Sequence, residues 1–219
     1  MTHLGFKQLT SDNWLEPEPL LDRLVRLSSD GHVRHISREE WAQRILLPQL
    51  VETVPAEIQD LFEVARGAMM YGYFFYPLYT LATEQLYRVV EAAVSYKYEL
   101  AGGPKQLLNS QTNKTKSPVF ADKIDWLFNA GVLTDTSDVQ RQQAIAWFRE
   151  FIPDVDEEAI QVTGIRSEKR VWHSIRQLRN QASHPSRQTI RAPVDTIRTL
   201  GDVVERINLL FSNMGDTSP

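Results

Sequence analysis

Cysteine is absent from all 219 residues. Disulfides, thiolate nucleophiles and cysteine-ligated zinc or iron–sulfur centres are excluded together. The absence suits a reducing compartment, and a cytoplasmic location is expected. Long hydrophobic runs are also missing. The greasiest stretch, Tyr71 to Leu81, is broken by Pro77 and falls well short of the ~20 apolar residues of a membrane-spanning helix, so no membrane partner is expected. The first residues, Met1 to Lys7, lack the apolar core of a signal peptide. Period-two alternation is almost absent, which argues against a sheet-dominated protein. Neither sign of charge dominates. With 24 Lys and Arg against 28 Asp and Glu, the net charge of −4 disfavours a protein that coats nucleic acid. His32 and His35 have no carboxylate or thiol company of the kind a metal centre collects, and neither a metal nor another cofactor is expected.

What is present is helical periodicity. Residues 1–53 form an N-terminal appendage, with a short helix expected over Glu18–Leu27 and a brief strand over His32–Ile36. Ser37 and Glu40 have capping-box spacing and should open a helix through Trp41, Ile45 and Leu46. Pro55 suits a first helical residue. From there an apolar-periodic stretch runs to Leu100, with Ile58, Leu61, Phe62 and Ala65 on one face. Pro77 should kink or split it, and Ala101 to Pro104 should end it. Residues 105–117 read as a polar loop. Helices are expected over Phe120–Asn129, stopped by Gly131, over Val139–Phe151, over Glu168–Ser183 and over Pro193–Phe211. The fold class is all-α, with a helical domain over 54–213 and a disordered tail over 214–219. Trp126, Trp147 and Trp172 are expected in the core. The aromatic run Tyr71, Tyr73, Phe74, Phe75 and Tyr76 is expected between helices, base stacking being the alternative.

One stretch points at chemistry. On the helix beginning near Glu168, Val171, Ile175, Leu178 and Ala182 form the core stripe. Arg176, Asn180 and His184 recur every fourth residue, each turned about 40° from the last, so they can share one side, with Arg179 between that side and the stripe. Pro185 disfavours helical geometry at His184, which leaves the imidazole at the helix C-terminus, where the dipole favours its protonated form. A histidine titrating near neutrality suits general acid or base work, and guanidinium groups suit a phosphate. From Thr163 to Arg191 seven Lys or Arg stand against the single acid Glu168. Glu84, Arg88 and Glu91, at i, i+4 and i+7, read as an intrahelical ion-pair ladder.

Arg179, Asn180 and His184 match the Arg–polar–three residues–His signature of the HEPN superfamily of helical nucleotide-binding domains. The helix Tyr79–Ala93 followed by the segment Phe120–Leu133 also resembles a bacterial, defence-associated branch of unknown function. The resemblance covers about residues 56–212 and leaves the appendage outside. In that branch the arginine often stands where Arg176 does, so which arginine acts stays open between Arg176 and Arg179. The resemblance implies an up-and-down bundle of four to five core helices. It also implies a homodimer with two motifs facing each other, and a metal-independent endoribonuclease of a toxin–antitoxin or phage-defence system, with RNA as substrate and an antitoxin or defence-system partner. Its other implication is a non-catalytic module for dimerisation, nucleotide sensing or partner binding.

Overall fold

The computed structural model describes residues 6–23, 25–27, 31–109, 113–134, 168–182 and 190–212. Side chains are described throughout these except at positions 22, 23, 26, 27, 109, 176 and 178–182. Helices dominate: α1 (Arg38–Leu46), α2 (Ala56–Tyr71), α3 (Leu78–Leu100), α4 (Phe120–Asn129), α5 (Glu168–Ala182) and α6 (Pro193–Ser212). Two antiparallel pairs of three-residue strands accompany them, β1 (Val25–Leu27) with β2 (Val33–His35) and β3 (Leu107–Asn109) with β4 (Lys114–Lys116). The chain forms two compact units, one of residues Met1–Ala93 with Gln181–Pro219, the other of Val94–Asn180. The division falls inside α3 and inside α5.

In the first unit, α1 begins where its cap predicts. Glu40 N–H donates to Ser37 Oγ and Ser37 N–H donates to the Glu40 carboxylate, both at 3.1 Å, which satisfies two donors that a helix start otherwise leaves open. The expected helix over Glu18–Leu27 is instead a 3-10 turn, Pro19–Arg23, followed by β1. Glu18 explains the tight turn. Its side chain is fully buried and accepts from the backbone N–H of Lys7 at 3.1 Å and of Tyr76 at 3.4 Å, while its own N–H donates to Tyr73 O at 2.9 Å. A buried carboxylate needs such partners, and meeting them fixes the local path.

The break expected at Pro77 is a complete separation of α2 from α3. Gly72 ends α2, and its missing side chain makes room for a ring: an added Cβ would lie 2.7 Å from Tyr79 Cζ. Tyr79 is itself fully buried. Its hydroxyl accepts from Trp41 Nε1 at 2.8 Å, and the two rings meet edge to face at 5.9 Å. Burial pushes the Tyr79 hydroxyl well above the ordinary phenol range, the Trp41 hydrogen bond only partly opposing it. The Thr83 hydroxyl donates to Tyr79 O at 2.9 Å and can accept the Thr196 hydroxyl proton at 3.0 Å, so the buried polar node between α3 and α6 is satisfied. Ile58, Phe62, Ala65, Leu86, Val90, Leu200, Ile207 and Phe211 fill the surrounding core.

Gly67, mid-way along α2, differs from Gly72. A Cβ there meets nothing within 4 Å, so Gly67→Ala removes a helix-interior glycine without a clash. The expected result is a gain of about 0.5–1 kcal/mol, read as a rise in thermal midpoint.

In the second unit, α3 stops as the sequence requires. Gly102, at φ +81°, donates to Glu99 O, and Gly103 donates to Tyr98 O. Gly131, at φ +71°, closes α4 in the same way, with Gly131 N–H on Phe128 O and Val132 N–H on Leu127 O. Both are Schellman caps, whose left-handed position favours glycine. The polar loop expected over 105–117 instead contains the β3–β4 hairpin, with Asn113 at φ +54° in its turn, a conformation asparagine tolerates better than most residues. Three-residue strands are too short for alternation to show. Lys116 of β4 pairs with Asp122 at 2.8 Å, and Asp122 accepts from Val119 N–H at the start of α4.

Candidate functional site

The motif helix is formed. α5 runs from Glu168 to Ala182, the expected end at Ser183 lying outside the described residues, and Arg176, Arg179 and Asn180 fall in its second half. His184 and Pro185 lie outside the described residues, as do Val139–Phe151 with Trp147, the acidic block around Asp154–Glu158, and Arg166 and Arg187. The N-terminal half of α5 is anchored by Trp172 and Ile175, both buried, while Val171 is half-buried. The side chains of Leu178 and Ala182, the other two residues of the expected stripe, lie outside those described.

Around that anchored half the structure brings together residues that the sequence separates. Asp125 of α4 pairs with Lys169 Nζ at 2.7 Å and with His173 Nε2 at 3.3 Å, both on α5. Lys169 and His173 are one helical turn apart, so both reach the same carboxylate. Burial pushes the Asp125 carboxyl up, but the Lys169 hydrogen bond and charge, with His173 adding to both, push it down further. Its pKa lies below the ordinary carboxylate value. The spacing of Lys169 and His173 was visible in the sequence, but nothing local indicates an acid 44 residues away from Lys169.

Because the folded carboxyl is more acidic than the unfolded one, this cluster stabilises the fold above the unfolded value of about 4. The contribution is lost as pH falls through the lowered folded value. Asp125 is 45% exposed, and solvent screening limits such a pair to less than about 1 kcal/mol. Asp125→Asn should therefore lower the urea midpoint slightly at pH 7. The gap from the parent should narrow as pH falls below the ordinary carboxylate value and the folded carboxyl is protonated, and a gap that does not narrow would assign the effect to packing.

The cluster also modifies the basic patch. Of the cations between Thr163 and Arg191, Lys169 is committed to Asp125, and Arg170 is exposed on α5. Arg191 begins the approach to α6 in the other unit, where its N–H donates to Thr80 Oγ1 at 2.9 Å. There burial raises the Tyr87 hydroxyl above the ordinary phenol value, with the Arg191 charge and a Thr199 hydrogen bond opposing and the Asp202 charge adding to it. The patch is therefore not a uniform field along one helix. On α3, Arg88 is exposed, and Glu84 and Glu91 are half-buried. His32 and His35 are both exposed.

The aromatic residues divide. Trp172 is buried, and Trp126 is half-buried against Tyr98, with ring centroids at 5.1 Å. Tyr73, Phe74, Phe75 and Tyr76 are half-buried in the α2–α3 connection, and Tyr71 at the end of α2 is 65% exposed. They pack on one another, on Phe6 and on Tyr79 of α3, and Arg38 of α1 lies over Tyr73 and Phe74.

No protein-family model, curated protein or solved structure matches this chain. No helix among the described residues is long and apolar enough to cross a membrane.

Proposed function

We propose that this chain is a HEPN-like helical protein that cleaves RNA without a metal ion. The observation that carries the reading is α5. It is a helix through Arg176, Arg179 and Asn180, anchored at its N-terminal half, and its last assigned residue, Ala182, stands two positions before His184. In this reading the His184 imidazole takes the proton from a ribose 2′-OH or supplies one to the departing 5′-oxygen. Arg179 or Arg176 neutralises the crowded phosphorane, and Asn180 orients the imidazole or a phosphate oxygen. Attack by the 2′-oxygen forms a bond to phosphorus as the bond to the 5′-oxygen breaks, leaving a 2′,3′-cyclic phosphate and a 5′-hydroxyl. The need for a 2′-OH makes the substrate RNA and not DNA. Two copies facing across a two-fold axis would supply two such motifs, and the biological setting is a cytoplasmic toxin or phage-defence system.

Growth on expression tests this cheaply. The parent chain should arrest cells and His184→Ala should not. If both forms are harmless at equal soluble levels, the non-catalytic reading, a dimerisation or partner-binding module, takes its place.

A further inference from the structure

The first unit holds a cleft of about 370 Å³ between α1, α2 and the connection that follows α2. This is within the size range of small-molecule sites. Its walls include Trp41, Tyr71, Tyr73 and Phe74, with Gly67 and Arg38 also lining it. Three features make it more than a surface hollow. The aromatic rings are braced: Tyr73 and Phe74 meet edge to face at 5.4 Å, and Trp41 is fixed by its hydrogen bond to Tyr79. Arg38 carries a guanidinium over the Tyr73 and Phe74 rings, 5.7 and 5.4 Å from their centroids. Gly67 leaves one side open, since a Cβ there meets nothing.

The guanidinium carbon lies within cation–π reach of both rings, and the five N–H donors of such a group suit a fork of two oxygens. Aromatic walls favour a flat ring, and a single cation favours a single negative charge. We propose that this cleft is a binding site for a small planar aryl carboxylate, with the ring between the aromatic walls and the carboxylate on Arg38. The cleft shares no lining residue with the motif on α5, and the proposal does not depend on RNA cleavage.

Naphthalene-2-carboxylate is a suitable probe, titrated calorimetrically into the full chain beside its neutral amide, naphthalene-2-carboxamide. The expected result is saturable one-to-one binding of the carboxylate with a Kd below about 1 mM, and roughly tenfold or weaker binding of the amide, the loss expected for one charged hydrogen-bonding partner. Arg38→Gln should weaken the carboxylate by about the same factor and leave the amide unchanged. Gly67→Leu, which fills the cleft from α2 with a better helix former, should abolish binding of both. Ala42→Leu fills it from α1 and serves if Gly67→Leu is not soluble. No saturable binding, or binding that survives both fillings, would overturn the assignment. So would an Arg38→Gln loss that is equal for carboxylate and amide.

Discussion

His184→Ala should lower the rate of RNA cleavage by about 10²–10⁴-fold, the usual worth of a positioned acid or base, with little change in thermal midpoint. The expected separation of rate from stability follows from position. Trp172 and Ile175 hold α5 in its first half, nine residues or more before His184 in sequence. The two arginines should then separate in kinetics. The one that contacts the phosphorane should lower kcat when changed to Lys, because a point charge does not reproduce the planar fork. The other should mainly raise KM. Equal effects at Arg176 and Arg179 would mean that both contact the phosphate. Retention of full activity in His184→Ala would remove the assigned proton transfer.

A large stability effect is expected at Gly72. A Cβ there would lie 2.7 Å from Tyr79 Cζ and 2.9 Å from each neighbouring ring carbon. The ring cannot easily move aside, because it is fully buried, bonded through its hydroxyl to Trp41, and packed edge to face on that indole. Overpacking of this kind costs about 1–3 kcal/mol, or roughly 2–4 °C in thermal midpoint per kcal/mol for a chain of this length. Gly72→Ala should therefore destabilise, whereas Gly67→Ala, five residues earlier in sequence, should stabilise. The cause can be isolated by pairing Gly72→Ala with Tyr79→Leu. Once the ring is gone, the alanine should add little further loss, giving a strongly non-additive cycle. Additive effects, or a Gly72→Ala midpoint at or above the parent's, would show that the ring is not the obstacle.

These two glycines show where the sequence is legible and where it is not. A helical hydrophobic period, a Ser–Glu cap spacing and stop signals at Gly102 and Gly131 are local, and they mark α1, α3, α4 and α6 within a residue or two. Gly67 and Gly72 look alike in sequence, since what distinguishes them is a tyrosine ring whose approach depends on the turn between α2 and α3. Pro77 predicted the break but not where α2 ends. The helix expected over Glu18–Leu27 is a five-residue 3-10 helix, Pro19–Arg23, with β1 at its end, for a similar reason. Its geometry answers to a carboxylate buried against the backbone of residues 7 and 76, and no local propensity encodes such a contact. The short hairpins have too few residues to display alternation.

The candidate site divides in the same way. Arg176, Arg179 and Asn180 could be assigned to a helix from spacing alone, and α5 carries them. The partner that Asp125 offers to Lys169 and His173 could not be read, because it joins α4 to α5, which lie far apart in sequence. It changes the electrostatic picture by taking Lys169 out of the apparent cationic patch. Arg38 was equally hidden. In sequence it is one more charge in the first turn of a helix, and its place over Tyr73 and Phe74 depends on how α1 and α2 pack.

Incubation of the purified chain with structured and unstructured RNAs in excess EDTA, with analysis of the product ends, tests the central claim most directly. RNA should be cut into fragments bearing 2′,3′-cyclic phosphates and 5′-hydroxyls, DNA of the same sequence should stay intact, and His184→Ala should leave both untouched. Intact RNA after exposure to folded protein, or cutting that stops when the divalent ions are removed, would contradict it.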